Sequence, residues 1–253
     1  MKTNQLKKQI AVTVHFSPAL FDEMQLKDKN IVVIDVLRAS TSIATALQNG
    51  AKEIIPVNSV ENAVKISGSL FGDVTLRAGE RNSKIIEGFN LGNSPLEYTE
   101  GVVKGKSIIF MTTNGSVAIV KGKHARKLVV AGLVNLSRVV EFLAELKEDF
   151  VIICAGKENN FCIEDALCAG RILNKLAAGI DEELILDDAG VVCVAVDKSL
   201  GKSVLKLLKN SEHGKYLSEI GFADDLKVCA AIDSVEVLPI LSGNVIRLQK
   251  EKI

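Results

Sequence analysis

Short runs of aliphatic residues alternate, along most of the chain, with segments in which apolar residues recur every three or four positions. Runs such as 31–36 and 150–154 consist mainly of Val and Ile, which is typical of parallel strands buried on both faces of a sheet. The segments between them have the spacing of amphipathic helices. This alternation predicts βαβ units and an α/β fold with a mainly parallel sheet and flanking helices.

The pattern places the individual elements as follows. Strands are predicted at 10–16, 31–36, 53–57, 74–78, 107–112, 127–131 and 150–154. Helices are predicted at 40–49, 59–70, 94–100, 115–122, 135–147 and 164–178, with a mainly helical region at 184–220. Residues 235–248 predict a β-hairpin, in which Pro239 favours an edge strand because proline cannot donate a ladder hydrogen bond.

Domain boundaries are not marked by any Ser/Pro-rich linker, repeat or low-complexity segment. We expect two α/β lobes around a cleft, an N-terminal lobe at 1–125 and a C-terminal lobe at 126–253. A single continuous sheet is the alternative.

The amino-acid composition argues against several classes of protein. The chain has 31 basic and 31 acidic residues and a formal net charge of zero, so a general nucleic-acid or membrane-surface role has no electrostatic support. The first residues lack the apolar core of a signal peptide, and no apolar run approaches the roughly 20 residues that span a bilayer. We therefore expect a cytoplasmic protein. Five cysteines without a C-x-x-C pair indicate neither a disulfide framework nor a zinc cluster, and we expect them to be buried.

Polar residues follow the predicted strand 31–36 directly, where parallel sheets bind ligands. Asp35 is surrounded by apolar residues, so a buried carboxylate there must be paired, neutral or bound to a metal. Pairing with Arg38 is one interpretation, and metal ligation or nucleophilic attack on phosphorus is the other. Arg38 beside a helix N-terminus is typical of a site for phosphate, sulfonate or carboxylate. Ser40 or Thr41 is expected to cap the following helix, or to contact the ligand.

Two further segments at strand ends are candidates for the same site. The loop 79–95 is longer and more polar than a connection requires, which is typical of a functional loop. Its candidate residues are Glu80, Arg81, Asn90 and Asn93. The segment TTNGS (112–116) adds Thr113, Asn114 and Gly115, where the glycine permits close approach of the backbone to a ligand.

The second half contributes carboxylates and one histidine. Glu164 and Asp165 open the predicted helix at 164–178, where they either complement the helix dipole or bind a hard cation such as Mg²⁺. His213 precedes a glycine and is a candidate for the cleft. P-loop, dinucleotide-binding, nucleophile-elbow, Cys-x5-Arg and Asp-x-Asp phosphatase patterns are all absent. The residues thus favour an α/β enzyme acting on phosphate esters, while a nucleotide or carboxylate binder would have a similar pattern.

Five segments together resemble the 2-phosphosulfolactate phosphatase family: VVIDVLRASTSIATAL, GERNSKIIEGFNLGNSPLEY, MTTNGSVAI, FCIEDALCAG and HGKYLSEIGFADDLKVCA. The resemblance extends over residues 10–245, and its motifs are highly specific in combination. It implies an α/β fold and a Mg²⁺-dependent acid phosphatase that hydrolyses (2R)-2-phospho-3-sulfolactate to 3-sulfolactate and phosphate, a step in coenzyme M biosynthesis.

The resemblance also implies roles for single residues. Asp35 is expected to be a Mg²⁺ ligand or the nucleophile, and Glu164 and Asp165 are further candidate metal ligands. Arg38 and Arg81 are expected to hold phosphate or sulfonate and, with Asp35 and Glu80, to form the catalytic set. The expected substrate-binding residues are Ser40, Thr41, Asn90, Asn93, Thr113, Asn114, Gly115 and His213.

Three hypotheses about function are therefore weighed: the phosphatase named above, a phosphatase for another small 2-phospho acid, and a non-catalytic anion-binding protein on the same scaffold. The expected partner in each case is a small anionic, mostly phosphorylated molecule, with no nucleic acid and no membrane. The apolar character of the hairpin at 235–248 also leads us to expect a homo-oligomer.

Overall fold

One mixed sheet of eleven strands dominates the computed structural model, which describes residues 7–69 and 74–249. The strands are β1 (Gln9–His15), β2 (Asn30–Ile34), β3 (Glu53–Val57), β4 (Thr75–Arg81), β5 (Lys84–Ile85), β6 (Ser107–Met111), β7 (Lys127–Ala131), β8 (Phe150–Cys154), β9 (Glu183–Leu186), β10 (Pro239–Ser242) and β11 (Val245–Leu248). The helices in these ranges are α1 (Ala39–Gln48), α2 (Val60–Ser69), α3 (Glu100–Val103), α4 (Gly115–Lys121), α5 (Leu136–Leu146), α6 (Ile163–Gly179), α7 (Asp188–Leu200), α8 (Val204–Asn210), α9 (Glu212–Glu219) and α10 (Asp225–Cys229). The predicted α/β class is confirmed.

The sheet consists of two parallel groups joined by an antiparallel hairpin. Its strand order is β5-β4-β6-β3-β11-β10-β7-β2-β8-β1-β9. Strands β4, β6 and β3 are parallel to one another, and so are β7, β2, β8, β1 and β9. The β10–β11 hairpin pairs antiparallel with β7 on one side and with β3 on the other.

The prediction that Pro239 lies in an edge strand is wrong, because β10 has a neighbour on each side. Pro239 is the first residue of β10, and pairing with β7 begins one residue later, at Ile240 opposite Val129. At the first position of a strand a missing N–H removes no ladder bond. The hairpin also buries Ile246 in the core, so its apolar residues no longer argue for a homo-oligomer, which stays a prediction.

Two other sequence predictions differ from the structure, and parts of two more fall outside the described residues. The region predicted as mainly helical begins with strand β9, a four-residue edge strand too short to show a clear alternation. The predicted helix 94–100 is a 3-10 turn at Pro95–Glu97, and α3 follows it. The last residue of the predicted helix 59–70 lies outside the described residues, as do the first six positions used to argue against a signal peptide.

Strands β2, β3, β6 and β8 are buried on both faces, as their continuous aliphatic runs predict. Along β2, Ile31 and Val33 belong to one core cluster, whereas Val32 and Ile34 belong to another on the opposite face. Helices α5, α6 and α7 cover the second face, and α1 and α4 cover the first. This burial explains why no polar residue lies between the first and last residues of these strands.

The sheet must bend strongly, because the ends of β2 and β6 lie close together. Four strands separate them in sheet order, which corresponds to about 24 Å across a flat sheet. Nevertheless a Cβ at Gly115, after β6, would lie 2.5 Å from Oδ2 of Asp35, after β2. One core cluster also contains both Val33 of β2 and Phe110 of β6. The sheet therefore curves around α1 and α4.

Strands from before and after position 125 belong to this one curved sheet. Its core cluster joins Ala118 and Leu128, on either side of that position. The arrangement is the continuous sheet that the sequence left as an alternative. A division into lobes at 1–125 and 126–253 stays a prediction.

Helix α6, with 17 residues, packs against α7 through a glycine. A Cβ at Gly170 would lie 1.9 Å from the carbonyl oxygen of Cys193 in α7, so the backbones meet there. No helix in the described ranges combines the length and the apolarity needed to cross a membrane.

We expect Gly170→Ala to lower the free energy of unfolding by about 2–3 kcal/mol, because the methyl group forces α6 and α7 apart. Gly179→Ala, at the end of the same helix, is the matched control, since a Cβ there meets nothing within 4 Å. Alanine favours helix over glycine, so the control is expected to be neutral or slightly stabilising. Urea unfolding measures the free energy of unfolding of both variants. Equal midpoints for the two variants would contradict the close packing of α6 against α7.

Candidate functional site

A cavity of about 510 Å³ opens where β2, β4, β6 and β8 end. Its lining carries acids, cations and amides with few apolar groups. The lining residues include Asp35, Arg38, Glu80, Arg81, Asn93, Thr113, Asn114 and His213, all of them predicted site residues. Five predicted residues are absent from this lining and from that of the neighbouring cavity described below: Ser40, Thr41, Asn90, Gly115 and Asp165.

Asp35 provides the buried carboxylate at the bottom of this cavity. It directly follows β2 and is 7% exposed, and its Oδ1 accepts a hydrogen bond of 3.3 Å from the N–H of Ala39. Burial raises the pKa of Asp35 to about 6; the carboxylates of Glu80 and Glu164 also raise it, whereas His213 and the Ala39 amide lower it. A carboxylate in such surroundings is stabilised by a nearby cation.

The hydroxyls after Asp35 hold the turn rather than cap the helix, which corrects the expectation for Ser40 and Thr41. Both lie within the first turn of α1. The Ser40 hydroxyl accepts from the Asp35 N–H at 2.9 Å, and the Thr41 hydroxyl donates to the Val36 carbonyl at 3.2 Å. The first amide of α1 is capped by the Asp35 side chain itself.

Arg38 forms a buried ion pair with Asp225 rather than with Asp35, so the interpretation that Asp35 and Arg38 pair is wrong. Nη1 of Arg38 lies 2.7 Å from Oδ2 of Asp225, and both side chains are 2% exposed. The guanidinium carbon lies 4.2 Å from the centre of the Phe222 ring. Its Nη2 donates to the Ser83 carbonyl at 2.9 Å, and Ser94 donates to the other Asp225 oxygen at 2.7 Å. These contacts fix the guanidinium at the cavity wall.

Glu80 ties two loops of the site together through its carboxylate. One oxygen accepts from the Thr113 N–H and the other from the Ser83 N–H, each at 2.7 Å. Glu80 is 6% exposed, so these two amides replace the water it gives up. Its contacts indicate a structural role at the site.

The remaining predicted residues of the loop 79–95 differ in where they lie. Arg81 lines the cavity with an exposed side chain. Asn93 also lines it and is 5% exposed, and no residue of ranges 7–69 and 74–249 gives its Oδ1 a hydrogen bond. Asn90 instead accepts from the Arg77 N–H at 2.9 Å and extends the pairing along β4, so its contacts give no support to a substrate-binding role.

The TTNGS segment meets both Asp35 and the loop after β8. Asn114 Oδ1 accepts from the Glu158 N–H at 3.0 Å. Gly115 lies against Asp35 and Ala39, where a Cβ would be 2.5 Å from atoms of each. The glycine is therefore required by the packing of α4 on α1.

Asp165 holds the loops after β2 and β8 together. One of its oxygens accepts from the Val36 N–H at 2.9 Å and the other from the Gly156 N–H at 3.0 Å. It is 2% exposed, and burial raises its pKa well above the usual value. Both oxygens are occupied by backbone amides, which lends no support to metal ligation.

Glu164, its neighbour on α6, is positioned differently. It is 1% exposed, and its Oε1 has no hydrogen-bond partner among the described residues. The nearest basic atom is Nδ1 of His213 on α9, 3.4 Å away. Both residues line a second cavity of about 270 Å³, which shares His213, Lys157 and Glu158 with the first.

The sequence reasoning missed several residues of the cavity. Lys157 and Glu158 belong to the polar segment that follows β8, the same position relative to a strand that Asp35 and Asn114 occupy. The Lys157 ammonium lies 4.8 Å from the centre of the Tyr216 ring. Tyr216 donates to the Asn82 carbonyl at 3.2 Å. Asp225 carried no signal, because its partner Arg38 is 187 residues away.

Known proteins resemble the chain over nearly its whole length. The sequence profile described as 2-phosphosulpholactate phosphatase matches residues 15–244. The chain belongs to this family. The family resemblance is thus confirmed, as is the prediction of an enzyme, a phosphoric monoester hydrolase.

Individual relatives agree with the family match. A protein of Caldanaerobacter subterraneus subsp. tengcongensis named "probable 2-phosphosulfolactate phosphatase" is 42% identical over 91% of this chain and 95% of its own length. Proteins with the same name from Symbiobacterium thermophilum and Clostridium acetobutylicum are 40% and 39% identical. These alignments cover 89% and 86% of this chain and 97% and 91% of the relatives.

We expect Asp225→Asn to lower the free energy of unfolding by about 3 kcal/mol and to reduce phosphatase activity. The substitution leaves the Arg38 charge buried without its counter-charge, which is the costly way to break a buried pair. Asp224→Asn is the matched control, because that neighbouring carboxylate is exposed and contacts only Lys227 among the described ion pairs. Chemical denaturation and steady-state kinetics compare them; a variant as stable and active as the control would contradict the role of the pair.

Proposed function

We propose that this protein is a Mg²⁺-dependent phosphatase that hydrolyses (2R)-2-phospho-3-sulfolactate to 3-sulfolactate and phosphate. The family match and the names of its relatives support the substrate. The observation that carries the proposal is the cavity itself, in which a buried carboxylate faces a wall of fixed and exposed cations.

The charges around the cavity suit a substrate with several anionic groups. Phosphosulfolactate carries a phosphate, a sulfonate and a carboxylate. The cavity lining offers Arg38, Arg81, Lys84 and Lys157, which come from three separate segments of the chain. A guanidinium held rigidly, as Arg38 is, loses little freedom when it binds a phosphate and can stabilise charge that develops in the transition state.

The residues present also fit a hard divalent cation. Asp35 and Glu164 are carboxylates, the ligand type that Mg²⁺ prefers, and they lie close enough for Glu164 to raise the pKa of Asp35. Oε1 of Glu164, to which none of the described residues donates a hydrogen bond, supplies a buried acceptor. We assign the cation to these two residues. When bound, it would neutralise phosphate charge.

Other residues then have distinct tasks. Arg38 and Arg81 bind and orient anionic groups of the substrate, together with Asn93, Thr113 and Asn114 at the same wall. His213, at the boundary of the two cavities, supplies the proton for the leaving oxygen. In the cell the reaction would belong to coenzyme M biosynthesis in the cytoplasm.

Purified enzyme with Mg²⁺ is expected to release phosphate from (2R)-2-phospho-3-sulfolactate with a higher kcat/KM than from phospholactate or phosphoglycerate. Those substrates lack the sulfonate, so they leave one cationic group of the cavity without a partner. Chelation of Mg²⁺ is expected to abolish release. A preference for phospholactate would replace the substrate in this proposal, and no release from any 2-phospho acid would reject it.

Asp35→Asn is expected to abolish turnover and yet to stabilise the fold above pH 6. Burial raises the pKa of Asp35 from 3.8 to about 6, so stability from this group is full below pH 3.8 and is lost as the pH rises through about 6. Asparagine removes this loss, which amounts to about 3 kcal/mol at pH 8 without Mg²⁺.

Denaturation curves at pH 8 and pH 3.5 measure the effect, which is expected to vanish at the lower pH. Asp224→Asn, at an exposed carboxyl, is expected to show no such gain at pH 8. A destabilised Asp35→Asn at pH 8, or one with normal turnover, would remove Asp35 from its assigned role.

A further inference from the structure

The second cavity contains three potential metal donors of different chemistry. Cys162, Glu164 and His213 each offer one ligand atom, and these three atoms all lie within 4.8 Å of one another. Cys162 and Glu164 belong to the start of α6, whereas His213 comes from α9, so two elements distant in sequence meet here. All three residues are buried.

One of these donors lacks the partner that its burial demands. Glu164 is 1% exposed, and its Oε1 accepts no hydrogen bond from the described residues. That oxygen lies 3.4 Å from Nδ1 of His213, which is another of the three donors. An unsatisfied buried carboxylate oxygen is costly, and a cation between it and the imidazole would satisfy both atoms.

The combination of thiol, imidazole and carboxylate selects among cations. Mg²⁺ takes oxygen ligands, whereas Zn²⁺ and Co²⁺ accept sulfur, nitrogen and oxygen together. Tetrahedral zinc with bonds of about 2.0–2.3 Å needs donors about 3.3–3.8 Å apart. The 3.4 Å between Glu164 Oε1 and His213 Nδ1 already has this spacing, and the donor atoms of all three residues lie within 4.8 Å of one another.

We propose that Cys162, Glu164 and His213 form a second metal site that binds Zn²⁺ or a similar borderline divalent ion. Three protein donors leave one tetrahedral position for water or for an anion in the cavity. The cavity of about 270 Å³, lined also by Lys157 and Phe161, gives the ion a route from solvent.

Binding exchanges protons for the metal. Burial, followed by the charges of Glu164 and Asp165, raises the pKa of the Cys162 thiol, so this sulfur is protonated at neutral pH before the ion arrives. The metal–sulfur bond forms as the thiol proton leaves to solvent, and Nδ1 of His213 binds in its unprotonated form. No oxidant or other reactant is needed.

Zinc bound at this site would inhibit the phosphatase; this second part of the inference rests on the proposed function. Zinc at Cys162 would occupy Glu164, which we assign to Mg²⁺, and would withdraw His213 from the substrate. Zn²⁺ is therefore expected to inhibit in competition with Mg²⁺. Zinc binding itself does not depend on whether the protein is catalytically active.

Binding is tested with the purified full chain, reduced and freed of metal. We expect one equivalent of Zn²⁺ to bind, and we expect Co²⁺ to give the near-ultraviolet absorption of a thiolate–cobalt bond. Cys162→Ser is expected to lose that absorption and to weaken zinc binding by about 100-fold or more. Cys168→Ala is the control, because this buried cysteine of α6 belongs to the hydrophobic core cluster and not to the donor set.

The outcomes distinguish zinc binding from zinc inhibition. Thiolate–cobalt absorption that persists in Cys162→Ser, or an enzyme that binds no Zn²⁺, overturns the site. If Cys162→Ser does not fold, Glu164→Gln provides the second variant, with metal binding and thermal unfolding as its readouts. Cys162→Ser is expected to keep Mg²⁺-dependent activity and to lose zinc inhibition; unchanged zinc inhibition would refute the inhibitory role. Enzyme that binds zinc but releases no phosphate refutes the proposed function alone.

Discussion

The whole site depends on the close approach of α4 to the end of β2. Gly115 lies against Asp35 so tightly that no side chain fits between them. This contact requires a sheet whose two parallel groups curve toward each other, and the antiparallel hairpin β10–β11 joins those groups at the middle. Without that curvature the polar ends of β2 and β6 would lie about 24 Å apart and could not face one ligand.

Burial then divides the carboxylates of the site into two kinds. Glu80 and Asp165 each accept hydrogen bonds from two backbone amides and thereby fix the loops after β2, β4, β6 and β8. Within the described part of the chain, the Asp35 carboxylate accepts only one long hydrogen bond, and one oxygen of Glu164 accepts none. The first kind holds the frame, whereas the second kind has capacity left for a cation. Hydrogen-bond satisfaction thus separates positioning acids from chemically available ones.

Much of this arrangement was predictable because it is local. Continuous aliphatic runs identify buried parallel strands, and the bounds of β3, β7 and β8 were predicted to the residue. Polar residues directly after strands identified Asp35, Glu80 and Asn114 as one group, because parallel strands place their ends on one edge of a sheet. Strand β9 was missed because four half-exposed residues carry too weak an alternation.

Long-range pairing could not be predicted from spacing in the same way. Arg38 has Asp35 three residues before it, and proximity in sequence favoured that pair. The strand end instead directs Arg38 toward α10, where Asp225 satisfies it, and this leaves Asp35 without a protein counter-ion among the described ion pairs. Both consequences matter for chemistry: a cation fixed by a distant acid can hold an anion, and an acid released from its neighbour can hold a metal. The choice of partner by one arginine therefore decides which of the two adjacent charged groups is neutralised by a distant residue and which stays open to a ligand.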